Sequence, residues 1–239
     1  MGSEKNTHDP NIWISESRLP GFQSFMESFY AECWKSAQLV LRALALGLEL
    51  PSEDYLLNYH DEADNELTIR HYPPVNERKV RRGEMDRLGA HSDFGSVTLL
   101  FQDAFGGLKI KLPRTGEWID APPIEGALVM NIGDVLSRWS NGAYMFPEGK
   151  KVLTWLSDYL TSTVHRVHLP TSDLSYQGEG PNRMTRSRYS IPFFVVPKDE
   201  VVMECLEFPA IQGQKGKYEP ITWGEFVRVK MLEYYPDGH

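Results

Sequence analysis

The sequence predicts a mainly β chain with flanking helices, arranged as a barrel or sandwich. Three observations predict it. Short apolar strands follow one another along most of the chain, turn residues cluster between them, and no helices alternate with them as a parallel α/β sheet would require. The 239 residues suffice for one large domain or two small ones. We read residues 1–19 as a polar N-terminal segment and 20–239 as a single domain.

The first element is a helix from about Pro20 to Leu46. Phe22, Phe25, Met26, Phe29, Cys33, Ala37, Val40, Leu41 and Leu44 recur at steps of three and four, the stripe of a helix packed on a core. Gly47 and Pro51 stop it. Strands are expected at Leu67–Tyr72, Val97–Phe101, Leu108–Leu112, Ala127–Asn131, Val164–Val167, Ser190–Val196 and Val201–Glu204. A last helix runs from Gly224 to Tyr235, announced by the Thr222-x-x-Glu225 capping box. Asn141–Thr161 and Thr171–Ser187 read as long connections. The charge runs Asp61–Glu66 and Glu77–Arg82 read as solvated turns or loops.

Composition narrows the function. Lys plus Arg number 25 and Asp plus Glu 33, a net charge of −8. With no basic-aromatic stripe, a nucleic-acid partner is not expected. No run approaches the ~20 apolar residues of a membrane span, so no membrane association is expected. Two cysteines, Cys33 and Cys205, exclude a cysteine-rich zinc site or disulfide framework. With no apolar leader at the N-terminus, they suit a cytoplasmic protein.

The chemistry is carried by scattered polar residues. In Gly89-Ala-His-Ser-Asp-Phe94, His91 and Asp93 stand two apart, a spacing that sends both side chains to one face of a strand. An imidazole and a carboxylate are two-thirds of a 2-His-1-carboxylate site. Ser162-Thr-Val-His-Arg-Val-His168 offers His165 or His168 as the third ligand; three apart, they face opposite sides. Arg188 and Ser190 again share a face. Because Ile191-Pro-Phe-Phe-Val-Val196 makes that strand apolar, the guanidinium is buried and needs an anion, and an Arg beside a hydroxyl is a carboxylate clamp. Together these groups suit ferrous iron with three open positions, two for a 2-oxo acid and one for dioxygen.

From about Trp13 to Tyr235 the chain resembles the iron(II)/2-oxoglutarate-dependent dioxygenases of the isopenicillin N synthase-like family. The motifs that carry the likeness are His71-Tyr-Pro-Pro74, Gly89–Phe94, Thr98-Leu-Leu-Phe-Gln-Asp103, Gly106-Gly-Leu108, Asn131-Ile-Gly-Asp134, Ser137–Gly142, Ser162–Val167 and Arg188-Tyr-Ser190, in family order. The resemblance implies a double-stranded β-helix, or jelly roll, lacking the family's usual N-terminal portion. It implies His91, Asp93 and His165 as iron ligands. Arg188, Ser190 and Tyr72 would hold 2-oxoglutarate, and Phe94 and Phe194 would line a small-molecule pocket. The glycine motifs at 106–108 and 131–134 read as barrel turns. The implied reaction hydroxylates or desaturates a small organic molecule with O2 and 2-oxoglutarate, with ascorbate as accessory reductant. The alternative is a shortened, inactive relative that acts as a binding protein. The link at 143–161 is longer than is usual in the family. Its stripe of Val152, Leu153, Trp155, Leu156, Tyr159 and Leu160 is expected to form a lid or contact helix.

Overall fold

A computed structural model of the chain describes residues 1–3, 10–141, 160–209, 213 and 215–234. The expected lid at 143–161 lies almost wholly outside the described residues.

The elements in chain order are α1 (Phe22–Gly47), β1 (Glu66–Leu67), β2 (Arg70–Tyr72), α2 (Glu77–Arg81), β3 (Leu88–His91), β4 (Val97–Gln102), β5 (Leu108–Lys111), β6 (Trp118–Asp120), β7 (Val129–Ile132), α3 (Asp134–Trp139), β8 (His165–Val167), β9 (Tyr176–Gln177), β10 (Met184–Thr185), β11 (Arg188–Val195), β12 (Val202–Met203), β13 (Ile221–Thr222) and α4 (Trp223–Tyr234). Two antiparallel sheets carry the fold. One runs β1-β11-β4-β7, with β2 also paired to β11; the other runs β3-β8-β5-β6. Crossovers in both orders, with helices outside, make this the double-stranded β-helix that the resemblance implies.

β11 is the axis of the larger sheet. β4 pairs with six of its residues, from Ser190 to Val195, on one edge; β1 and β2 share the other edge. The sequence suggests one strand over Leu67–Tyr72, but the ladder breaks across from Pro192. The proline carbonyl accepts from the Thr68 amide at 3.0 Å, while its ring nitrogen has no proton to return. Phe193, fully buried, points from β11 into the core and meets the Tyr30 ring of α1 edge-on at 5.1 Å.

α1 covers this face with Met26, Tyr30, Cys33, Trp34, Ala37, Leu41 and Ala45. The expected stripe holds except at Phe25, which is 64% exposed and stacks on Phe29. The buried arc is centred one residue later, on Tyr30 and Trp34. α2 corrects the loop expected at 77–82. Asn76 caps it by accepting from the Arg78 and Lys79 amides, and Glu77 pairs with Arg81 four residues on. The connection at 171–187 is likewise not structureless, since β9 and β10 pair within it. The capping box before α4 forms, with the Glu225 amide donating to Thr222 Oγ1 and Thr222 Oγ1 to Glu225 Oε2.

Behind the site, His60 is buried with its two ring nitrogens at 2.7 Å from Leu56 O and 2.8 Å from Ser96 Oγ. Burial pushes its pKa down from 6.5 to about 4. The folded state therefore refuses a proton that the unfolded chain accepts. Stability is full above pH 6.5 and falls as pH drops toward 4, by about 3 kcal/mol from this residue. Urea unfolding at pH 7 and pH 4.5 should show the loss, and His60→Gln should lack most of it.

Candidate metal centre

β3 and β8 run antiparallel with His91 directly opposite His165. Cross-strand partners project to the same face, so the two rings meet with centroids 4.3 Å apart. Asp93 follows β3 by two residues and turns its Oδ1 to the same point, 3.7 Å from His165 Nε2 and 4.0 Å from His91 Nε2. The three donor atoms all lie within 4.8 Å of one another. These separations are too long for hydrogen bonds and suit donors facing one shared ion.

The surroundings fix each donor. His91 Nδ1 lies 2.9 Å from Gly89 O, and His165 Nδ1 lies 2.9 Å from Thr163 O. A carbonyl only accepts, so in neutral rings both Nδ1 atoms carry the proton and both Nε2 atoms present a lone pair inward. Burial, then the neighbouring His165 ring, push the His91 pKa down, which favours that neutral form. Buried Asp93 accepts at Oδ2 from Thr98 Oγ1 and Asn131 Nδ2, each at 2.7 Å, leaving Oδ1 free to face the rings. Thr98 and Asn131 are themselves cross-strand partners on β4 and β7.

The Asp93 backbone is held as tightly. Its carbonyl accepts from the Asp134 amide at the start of α3. Gly133 lies so close that a Cβ there would come 2.2 Å from Gly95 O and 2.9 Å from Asp93 O. The motif at 131–134 is thus more than a barrel turn: Asn131 positions a carboxylate and Gly133 permits the close approach. Gly106 and Gly107, by contrast, are a turn as expected, both at positive φ. Removing an outer partner of a metal ligand typically lowers affinity ~10–100-fold. Asn131→Ala is therefore expected to weaken Mn(II) or Co(II) binding by that factor in calorimetric titration, with little change in fold.

The triad lines one side of a cavity, and Arg188, Ser190, Pro192 and Phe194 line it from alternate positions of β11. Arg188 is 1% exposed. Its Nη1 donates to Ser190 Oγ at 3.2 Å and its Nη2 to Gln102 Oε1 at 3.3 Å. The guanidinium carbon sits 4.8 Å from the centre of the Tyr72 ring. Nε is buried with no hydrogen-bond partner among the described residues, and burial pulls the Arg188 pKa below its usual value. A buried guanidinium bonded to neutral groups, with its Nε unpartnered, fits the far carboxylate of a dicarboxylate ligand. Tyr72 lines the cavity as well.

The remaining sequence candidates divide. Phe194 lines the cavity, whereas Phe94 packs against the main core and on the Tyr234 ring at 5.6 Å. His168 faces away from the triad into a separate cavity with Arg166 and Tyr176. Reading the sequence alone missed Thr98, Asn131, Gln102 and Arg70, which also lines the site. Thr98, Asn131 and Gln102 lay within the quoted motifs, and the signal that could have found them is a polar side chain in an otherwise apolar strand.

A jelly roll that gathers two imidazoles and a carboxylate from neighbouring strands has the donor set of the facial-triad non-haem iron proteins. The comparisons with known proteins place the chain more narrowly. The model of the 2OG-Fe(II) oxygenase superfamily matches residues 55–197. The 2-oxoglutarate-Fe(II) type oxidoreductase ppzD of Metarhizium majus is 34% identical over 228 residues, covering 95% of this chain and 58% of the relative. The proline hydroxylase buaE of Petromyces alliaceus is 33% identical over 238 residues, covering 98% of this chain and 67% of the relative. Among solved structures, full-length Neurospora crassa T7H in complex with alpha-KG and thymine superimposes with a TM-score of 0.80 at 34% identity, over 98% of this chain and 64% of that one. The chain belongs to the 2OG-Fe(II) oxygenase superfamily, and it spans less than two thirds of ppzD and of T7H. An inactive binding protein is not favoured by relatives named as oxidoreductases and hydroxylases. Among the described residues no helix is long and apolar enough to cross a membrane.

Proposed function

We propose that this chain couples the oxidative decarboxylation of 2-oxoglutarate to the oxidation of a small organic molecule, with hydroxylation as the default outcome. The observation that carries the reading is one cavity shared by the His91–Asp93–His165 cluster and a buried Arg188 whose hydrogen bonds go to the neutral Ser190 and Gln102. In this reading His91, Asp93 and His165 hold Fe(II). Arg188 and Ser190 bind the far carboxylate of 2-oxoglutarate, and Tyr72 offers its hydroxyl to the same cosubstrate. Bound iron supplies the activation of dioxygen. Of the two oxygen atoms, one ends in succinate and the other in the hydroxylated product, and CO2 leaves.

The protein's own groups do the positioning. Gly89 and Thr163 carbonyls fix the imidazole tautomers, and Thr98 and Asn131 fix the carboxylate. Leu100, Leu108, Val167, Pro192 and Phe194 give the cavity apolar walls, which limits water around the reacting groups. The relatives' names support small-molecule chemistry: T7H is described with thymine, and buaE is a proline hydroxylase. Unpaired Cys33 and Cys205 support a reducing, cytoplasmic setting.

The test is succinate formation from 2-oxoglutarate under air across a small-molecule panel, with oxygen uptake measured alongside. Succinate that requires both added Fe(II) and dioxygen is expected. Oxygen uptake and product without succinate would instead assign direct oxidation with no 2-oxoglutarate. No metal binding and no succinate would sink the enzymatic reading.

A further inference from the structure

Arg70 lies on β2 directly across from Ser190, so it shares the cavity face with Tyr72, Arg188 and Ser190. Its guanidinium is not part of the Arg188 cluster. It stands 5.7 Å from the centre of the Phe194 ring, and Phe194 is four residues beyond Ser190, roughly 13 Å along the strand. The cavity thus has a cation toward each end, Arg188 beside Tyr72 and Gln102, and Arg70 beside Phe194.

Their partners differ. Among the described residues the cavity lining holds one carboxylate, that of Asp93, which is committed to the two imidazoles, Thr98 and Asn131. Glu66, across from Phe194, is exposed and accepts from the Thr68 hydroxyl. With iron and 2-oxoglutarate in place, Asp93 and the cosubstrate dianion together offset the metal and Arg188. The Arg70 charge is left over, beside an apolar ring.

We propose that Arg70 recognises a carboxylate on the primary substrate, so that this chain acts on small organic monocarboxylates whose apolar part lies against Phe194. This rests on the activity reading above and adds the substrate class. A guanidinium takes a carboxylate through two parallel hydrogen bonds, and one negative charge balances the cavity where a phosphate dianion would overshoot.

The experiment uses the anaerobic full chain loaded with Mn(II) and saturating 2-oxoglutarate. It is titrated calorimetrically with matched probes: phenylacetate and phenylacetamide, cyclohexanecarboxylate and its amide, N-acetylproline and its amide. At least one acid is expected to bind about 10-fold or more tightly than its amide. Arg70→Leu should bring that ratio to near one without changing the affinity for Mn(II) or 2-oxoglutarate, and Arg70→Lys should restore part of it. The proposal is overturned if no acid binds more tightly than its amide, or if the preference survives Arg70→Leu. Failure of the wild-type chain to take up Mn(II) and 2-oxoglutarate counts against the activity reading instead. In that event the same pairs titrated into metal-free protein still decide the role of Arg70.

Discussion

Asp93→Ala is expected to abolish useful metal binding while leaving the chain folded. Loss of an outer partner alone lowers affinity ~10–100-fold. Loss of Asp93 removes one of three donors and its negative charge, so the drop should exceed that range, and succinate formation should fall to background. The fold feels a smaller effect. Thr98 Oγ1 and Asn131 Nδ2 lose their acceptor, at about 1–3 kcal/mol for buried donors left unpaired. Part of that is returned as water enters the cleared space. Titration with Mn(II) and thermal unfolding of the metal-free protein separate the two effects. Near-normal metal affinity in the variant would remove Asp93 from the centre.

Arg188→Met should split ligand binding from stability in the opposite sense. Truncating one partner of a buried, hydrogen-bonded charge pair typically costs about 2–5 kcal/mol, roughly 30-fold to several thousand-fold in affinity. Loss of 2-oxoglutarate binding on that scale is expected. Yet in the ligand-free chain the guanidinium is buried against neutral Ser190, Gln102 and Tyr72 with Nε unpartnered. Replacing a buried charge of this kind by an apolar side chain is often neutral or stabilising. The ligand-free variant should therefore melt at or above the wild-type temperature, while the rise that 2-oxoglutarate gives the wild type disappears. Arg188→Lys should not rescue binding, because an ammonium cannot form the planar two-bond contact. A marked fall in ligand-free stability would mean that Arg188 is mainly structural.

What the sequence discloses depends on how locally each feature is encoded. The His91–Asp93 and Arg188–Ser190 pairs are legible because a period of two fixes their common face within one segment. Choosing His165 over His168 needs more, namely the β3–β8 register, and the motif supplies it only through resemblance. Thr98 and Asn131 are readable as strand residues but not as the grip on Asp93, because that contact depends on strands 33 residues apart pairing across their faces. Phe94 shows the converse. It follows Asp93 directly in sequence, yet the turn after β3 sends its ring toward the core and Tyr234. α2 escapes a periodicity search because five residues are too few to show a stripe, and only the Asn76 cap marks its start.

β8 is only three residues long, but it is bonded on both edges, to β3 and to β5. On its outer face Arg166 lies over the Trp118 ring at 4.1 Å. A slip of one residue would turn His165 outward and drive Arg166 into the cavity, and both sheet edges resist that. The strand acts as a latch that isolates the His91–His165 pair from whatever precedes it. Because loop closure becomes costlier only slowly with length, the connection from Asn141 to Leu160 can gain or lose residues, or accept a grafted segment, while the donor set stays in place. It is a natural point at which to engineer this chain without disturbing the three donors.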